Sequence, residues 1–344
     1  MKKKIIIILL VLLGIALVGG IFAYRFYQYI YEPNIDLHGQ ESTMLYIPTG
    51  ADYQTVKDSL LDFLIDEDGF DWVAEKKSYA DNVKPGRYEI SHDMSANALV
   101  NMLRSGNQKP VNITFNNLRK LPALAAVLDG KFEMDSARFA DYLLNPETID
   151  EYGFSVYEFP VMFLPDTYQF FWNTSPEKFT QRMKTEYDMF WTDERKQKAE
   201  RAGLTPVQVS TLASIVEQET KKNDEKSKVA GVYINRVERG MLLQADPTLV
   251  FAHGDFSIKR VLNRHKKIDS PFNTYKFPGI PPGPICLPEK SSIDAVLNYE
   301  NHDYIFFCAK PDYSGYHNFS KTLRQHGYYA REYRRFLNRE RIYR

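Results

Sequence analysis

At 344 residues the chain is long enough for two soluble domains after an N-terminal extension. Its 44 basic and 44 acidic residues cancel, so no polyanion-attracting field surrounds the molecule as a whole, and nucleic acid is excluded as the expected partner. The two cysteines, Cys286 and Cys308, show no metal-type C-x-x-C spacing, and whether they pair is left open because sequence does not give their separation.

Residues Ile5 to Tyr24 run about twenty positions without a charge, the length that crosses a bilayer core. A membrane anchor is therefore expected over residues 1–24, with a cleaved signal peptide as the alternative. Lys2, Lys3 and Lys4 precede the run and only Arg25 follows closely, which keeps the N-terminus cytoplasmic and exports the rest. Tyr24, Phe26, Tyr27, Tyr29 and Tyr31 suit the outer interface, and residues 25–42 read as a short tether.

Met44 to Pro48 reads as a strand, Asp52 as the cap of a helix, and Phe70 to Ala80 as a second short helix. The turn Lys84-Pro85-Gly86 leads into a strand at Arg87 to Ile90, and Ser95 caps a helix that ends near Gly106. Residues 43–110 thus form a small α+β module without catalytic spacing, and residues 111–344 a larger mixed domain. Val111 to Phe115 alternates as a strand, and two helices follow within Leu121 to Leu144. Phe159 to Trp172 is dense in aromatics and is either core or a platform on which sugar rings stack. Ser175 caps a helix reaching about Trp191, and Thr192 to Arg201 is charged and solvated.

The stretch Leu212 to Thr220, LASIVEQET, places two carboxylates in an apolar helical run. Thr205-Pro206-Val207-Gln208 reads as its start, with Thr205 as N-cap and Gln208 closing a capping box. From there Val209, Leu212, Ile215, Val216 and Glu219 share one face, whereas Glu217 lies about 200° away around the helix. An acid on a buried stripe must be neutralised, paired or used, because desolvation disfavours its charged form. Glu219 is therefore a candidate general acid. It is equally a candidate for pairing with Arg236 in the next helix, or for a wet, frayed helix end.

A helix from Asn223 or Asp224 to Gly240 carries Tyr233, Asn235 and Arg236, and Asp246 reads either as the cap of a helix opening at Pro247 or as a site residue. Prolines and glycines from Ser270 to Pro284 forbid helix and central strand and give a stiff loop suited to walling a groove. Ser291 or Ser292 caps another helix, Tyr304 to Ala309 is an apolar strand, and His317-Asn318-Phe319-Ser320 a polar strand or turn. The chain closes with a basic helix from Thr322 carrying Arg331, Arg334, Arg335, Arg339, Arg341 and Arg344, expected as a solvated face. The histidines form no H-E-x-x-H, and no G-x-S-x-G, P-loop or dinucleotide fingerprint occurs, so carboxylate acid catalysis is the best-supported chemistry. No metal and no cofactor is expected. The expected fold class is α+β.

ASIVEQET (213–220), KVAGVYINR (228–236), LQADPT (243–248), NTY (273–275), GIPPGPI (279–285) and HNFS (317–320) together resemble the MltG/YceG family of endolytic murein lytic transglycosylases. Residues 83–106 are similar to that family's LysM-like module, and Leu164 to Tyr168 to its aromatic segment. The resemblance implies an inner-membrane-anchored lyase that cuts the β-1,4 bond between N-acetylmuramic acid and N-acetylglucosamine in nascent peptidoglycan. The cut leaves 1,6-anhydro ends and terminates strand growth beside the synthases. It assigns catalysis to Glu219, the residue helix phase also singles out, and makes Gln244, Asp246, Asn273, Tyr275 and Asn318 candidates for aligning the sugars or orienting Glu219. Cys286, the Tyr313 to Tyr316 loop and the arginine-rich tail depart from the family pattern. The competing reading is a non-catalytic, membrane-tethered scaffold that binds peptidoglycan through its small module.

Overall fold

The computed structural model describes residues 2–340, so Arg341 and Arg344 of the expected basic helix lie outside the described residues. The chain divides into two compact units: Met1–Asn112 with Lys131–Met134 and Gln169–Thr174, and the remainder, Ile113–Gly130, Asp135–Tyr168 and Ser175–Arg344.

The first unit opens with α1 (Lys2–Tyr31), a 30-residue helix whose apolar run is exposed throughout and long enough to cross a membrane. It does not stop at Tyr24. The last two turns carry Phe26 and Tyr29 against Trp72, with ring centroids at 5.8 and 5.5 Å. Gly69 permits this docking, since a Cβ there would sit 2.7 Å from the Tyr29 ring. The expected polar tether, 32–42, is packed at its centre: Ile35 and Leu37 are buried, and the Asn34 side chain donates to Asp66 O at 2.9 Å and accepts from Asp66 N at 2.7 Å, while residues 38–42 are exposed. Alternating apolar positions at 35 and 37 are too short a signal to distinguish from a linker.

Strand β1 (Ser42–Ile47) then pairs antiparallel with β2 (Gly86–Ser91), in register from Ser42↔Ser91 to Ile47↔Gly86. Between and after them come α2 (Tyr53–Leu60), α3 (Glu67–Lys76) and α4 (Ala96–Ser105). Asp52 and Ser95 cap α2 and α4 as expected, and Gly106 ends α4 with φ 73°. Helix α3 starts one turn earlier than the apolar pattern indicates because Asp66 accepts from Gly69 N at 3.1 Å and the first turn is acidic. The core joins Ile47, Val56, Leu60, Phe70, Val73, Tyr88, Ile90, Leu99 and Leu103, all essentially inaccessible.

Beyond it, β3 (Val111–Phe115) pairs with β4 (Asp166–Phe170), and α5 (Leu121–Val127), α6 (Ser136–Leu144) and α7 (Pro146–Glu151) lie between them in sequence. The aromatic segment from Phe159 is core. Phe159, Val161, Met162, Phe163, Leu164 and Tyr168 are all buried, with Phe163 packed on Phe159 and Phe179, so the sugar-platform alternative fails. Helices α8 (Pro176–Phe190) and α9 (Asp193–Arg201) lead to α10 (Pro206–Glu219), α11 (Asn223–Glu238) and α12 (Asp246–His253). The remaining elements are α13 (Lys290–Leu297), the antiparallel pair β5 (Phe306–Ala309) and β6 (His317–Ser320), and α14 (Leu323–Arg339).

Helix α10 is the centre of the second unit, with α11, α12 and α13 packed around it. The Pro/Gly stretch, expected as a groove wall, divides: Tyr275 lines a cleft, while the C-terminal end contributes to that packing. Pro281, Gly283 and Pro284 through Leu287 are buried, and Ile285 N donates to Ser214 Oγ on α10 at 2.9 Å. Prolines supply buried apolar surface without a backbone donor to satisfy, which suits a segment threaded through an interior outside any sheet. Cys286 and Cys308 are both free thiols, and Cys286 is buried against α10, within 3.6 Å of Ser214 O.

Candidate active site

Local sequence sets the start of α10 in the expected way: Thr205 accepts from Gln208 N, and the Gln208 side chain accepts from Thr205 N, at 3.2 and 2.9 Å. Every residue from Val209 to Glu217 is buried, so α10 has no wet face to mark by contrast. What separates its two acids is their partners.

Glu217 is 3% exposed and enclosed by donors. One carboxylate oxygen accepts from the Asn117 amide, and the other from Glu289 N at 2.8 Å and Ser292 Oγ at 2.9 Å. Ser292, expected as a helix cap, is thereby a buried strut between α13 and α10. Glu219 sits on the last residue of α10, half-buried, with one donor among the described residues, the Tyr233 hydroxyl at 2.8 Å. Its head lies deep among protein atoms yet opens to a cleft of about 320 Å³.

That cleft is lined by Glu219, by Tyr233 and Arg236 of α11, by Leu243, Gln244, Asp246 and Tyr275, by Phe306 and Phe307 of β5, and by Leu323 and His326 of α14. Burial pushes the Glu219 carboxyl up to about 7; the nearby Asp246 charge reinforces this, while the Tyr233 hydrogen bond and the Arg236 charge oppose it. A carboxyl poised there is half protonated at neutrality, which suits a group that must give a proton and take one back.

Arg236 is not the ion-pair partner that would have neutralised Glu219. Its guanidinium donates to three backbone carbonyls, Ile305 O at 2.7 Å, Leu243 O at 2.8 Å and Leu242 O at 3.2 Å, and so pins β5 and the 242–243 turn to α11. Its neighbour Asn235 donates to His302 O at 2.6 Å and Tyr304 O at 2.9 Å. Gly231, one turn earlier, lets this segment approach: a Cβ there would lie 2.4 Å from Glu300 O. The V-Y-I-N-R run is thus a docking edge for the chain that forms the cleft's far wall.

Of the sequence candidates, the structure brings Glu219, Gln244, Asp246 and Tyr275 to one cleft. Asp246 does not cap α12. It occupies the first helical position without a capping bond, and its side chain accepts from the Tyr275 hydroxyl at 2.6 Å. Gln244 is exposed and holds φ at +51°, a left-handed conformation that costs a non-glycine residue about 1 kcal/mol and presents its amide beside Asp246.

Asn273 and Asn318 are elsewhere. Asn273 is fully buried; it donates to Lys266 O at 3.0 Å and Ile268 O at 2.8 Å and accepts from Tyr275 N at 3.0 Å, so it orients Tyr275 without reaching the cleft. Asn318 pairs with Cys308 across the β5–β6 ladder and is not among the lining residues.

Sequence reasoning missed Tyr233, Phe306, Phe307, Leu323 and His326 as lining groups. Tyr233 and Arg236 are three apart on one helix and so share a face, a signal that was available. His326 stacks on Phe306 at 5.2 Å, and burial together with the Arg236 charge lowers its pKa, which favours the neutral imidazole. Nothing in an isolated histidine on a basic helix announces this.

Residues 45–332 match the sequence profile of the YceG-like family. The chain is 28% identical over 328 residues to a Bacillus subtilis protein named endolytic murein transglycosylase, covering 90% of this chain and 89% of that one. It is 26% identical over 343 residues to the Streptococcus pneumoniae R6 protein of the same name, covering 89% of this chain but spanning only 61% of the longer pneumococcal chain. Among solved structures, a YceG-like protein of Listeria monocytogenes superposes with a TM-score of 0.56 at 26% identity, over 84% of this chain and 98% of that one.

Proposed function

The chain belongs to the YceG-like family, and from that premise we propose that it is an endolytic peptidoglycan lytic transglycosylase with Glu219 as its single acid/base. The observation that carries the reading is the position of Glu219: half-buried, held by one hydroxyl donor, and open to a cleft beside Asp246 and Tyr275. Relatives named endolytic murein transglycosylase support the substrate class.

In this reading the protonated Glu219 gives its proton to the glycosidic oxygen as the bond from the muramyl C1 breaks. The resulting carboxylate takes the proton of the muramyl 6-hydroxyl as that oxygen bonds to C1, so a 1,6-anhydro ring forms and no water is consumed. Tyr233 fixes the carboxyl through one oxygen and leaves the other for the substrate. Gln244, Asp246 and Tyr275 align the sugars, while Asn273 acts on them only through Tyr275. The N-terminal helix anchors the chain in the cytoplasmic membrane with its N-terminus inside, which sets the cleft on the outer side, where strands emerge from the synthases.

Asp246 in the same cleft favours one rival, hydrolysis by two carboxylates with Asp246 as the base. Mass spectrometry of glycan fragments separates the two. The lytic reading expects anhydro-muramyl ends, whereas ends heavier by one water would establish hydrolysis, and intact glycan would leave a binding scaffold.

A further inference from the structure

The chain is neutral as a whole, but the segment after α12 is not. Between Gly254 and Asp269 stand Lys259, Arg260, Arg264, Lys266 and Lys267. Of the two acids there, Asp255 is engaged by Ser257 and Asp269 pairs with Lys276. Among the described residues none of the five cations makes an ion pair, and Lys259, Arg260, Arg264 and Lys267 are exposed. Arg119 and Lys120, from the connection between β3 and α5, converge on the same segment, with their charges 5.0 and 5.7 Å from the Phe256 ring centroid.

This patch adjoins the cleft at Tyr275. Lys266 Nζ lies 4.4 Å from the ring centroid of Tyr275, and Asn273 ties the Lys266 and Ile268 carbonyls to the Tyr275 amide. Arg119 is held away from the cleft, donating at 2.6 Å to the side chain of Gln218, which itself donates to Asn117 on the Glu217 side of α10. The cleft itself holds Glu219, Asp246 and Arg236, whose charges nearly cancel, while its rim is cationic and attracts an anion. Here cations from two segments distant in sequence gather on one surface, without an ion pair among the described residues, next to the cleft residue Tyr275.

We propose that the 259–267 loop, with Lys120, is a subsite for the free carboxylates of uncrosslinked stem peptides, read while the neutral sugars occupy the cleft. Resting on the transglycosylase reading, this deepens it by naming which glycan is preferred. Forming a crosslink expels the donor peptide's terminal residue together with its free carboxylate and consumes an amine of the acceptor, so crosslinked strands offer the rim fewer free carboxylates than new ones. The attraction is between exposed groups and is screened by salt.

The test uses the full-length protein in detergent and two glycan substrates, one with free stem-peptide carboxylates and one with them converted to methylamides. Wild type is expected to cleave the free form with about tenfold higher kcat/KM, a preference that collapses at about 0.5 M salt. A variant with Lys259→Gln, Arg260→Gln, Arg264→Gln and Lys267→Gln, none of them lining the cleft, is expected to lose that preference while cleaving the methylamide form at the wild-type rate. Equal preference in variant and wild type overturns the proposal. So does an unchanged rate after amidation accompanied by variant-sensitive binding of a pyrophosphate-terminated glycan, which would assign the patch to phosphate. Binding of both glycans to the Glu219→Gln variant is measured in parallel. If wild type cleaves neither substrate, the transglycosylase reading fails on its own, and a missing binding difference there still sinks the carboxylate subsite.

Discussion

Two sides of one helix carry carboxylates two residues apart, and their surroundings are opposite. On the Glu217 side, α13, the 286–289 strap and Asn117 close over the acid with three donors. On the Glu219 side, α11 contributes one hydroxyl, and the remaining space is a cleft. A carboxylate surrounded by donors has no capacity left for a substrate; one that is desolvated and singly bonded is destabilised as an anion and open to proton exchange. The number and kind of donors, rather than depth alone, separates the structural acid from the candidate catalytic one, for Glu217 is the more buried of the two.

The strongest break of that contrast is Glu219→Gln. Loss of a general acid costs 10²- to 10⁴-fold, so kcat for release of anhydro-muropeptides is expected to fall about 10³-fold while the melting temperature holds or rises. A variant that instead unfolds would make Glu219 structural and erase the distinction. Glu217→Ala should do the reverse. It strands the Asn117 amide, the Glu289 N–H and the Ser292 hydroxyl in a closed interior, and a stability loss of about 3 to 5 kcal/mol is expected in urea denaturation, with the pH profile of the remaining activity unchanged.

Stability against pH sharpens the contrast further. The folded-state pKa of Glu219, about 7, lies above the ordinary carboxyl value of 4.5, so between those values the native state binds more protons than the unfolded chain. The contribution of this group is therefore most favourable below pH 4.5 and is lost as pH rises to 7, by up to about 3 kcal/mol. The difference in urea stability between wild type and Glu219→Gln should widen over that window in favour of the variant.

Much of this was legible in the chain. Capping chemistry is local, so Thr205 with Gln208, Asp52 and Ser95 were read correctly from a few residues each. Helix phase singled out Glu219, but for an incomplete reason: α10 is buried on every side, so a stripe was inferred where there is none. The misread segments were those whose meaning depends on distant partners. Phe159 to Tyr168 has the composition of a sugar platform and is core because α8 covers it, and the C-terminal end of the Pro/Gly stretch is buried where Ser214 supplies a bond to Ile285 across 71 positions. Asn273 shows the same limit within the site, since nothing local says that its amide is spent on Lys266 and Ile268.

The finest test moves Glu219 in both directions from within its own cleft. Tyr233→Phe removes a hydrogen bond that favours the carboxylate, so the Glu219 pKa rises and the alkaline fall of kcat/KM moves to higher pH. Asp246→Asn removes a negative charge that disfavours the carboxylate, so the same limb moves to lower pH. Each rate at the optimum is expected to drop about tenfold or less, because both groups act on or beside the acid and neither is assigned the proton. Opposite displacements identify Glu219 as the titrating acid, since a structural role for either residue would lower the rate at every pH without moving the limb. If Asp246 were the base of a hydrolytic pair, its replacement would move the alkaline limb in the same direction but would also abolish the acidic limb and cost far more than tenfold in rate. The acidic limb and the size of the loss, read beside the alkaline shift, therefore decide whether this cleft works with one carboxylate or two.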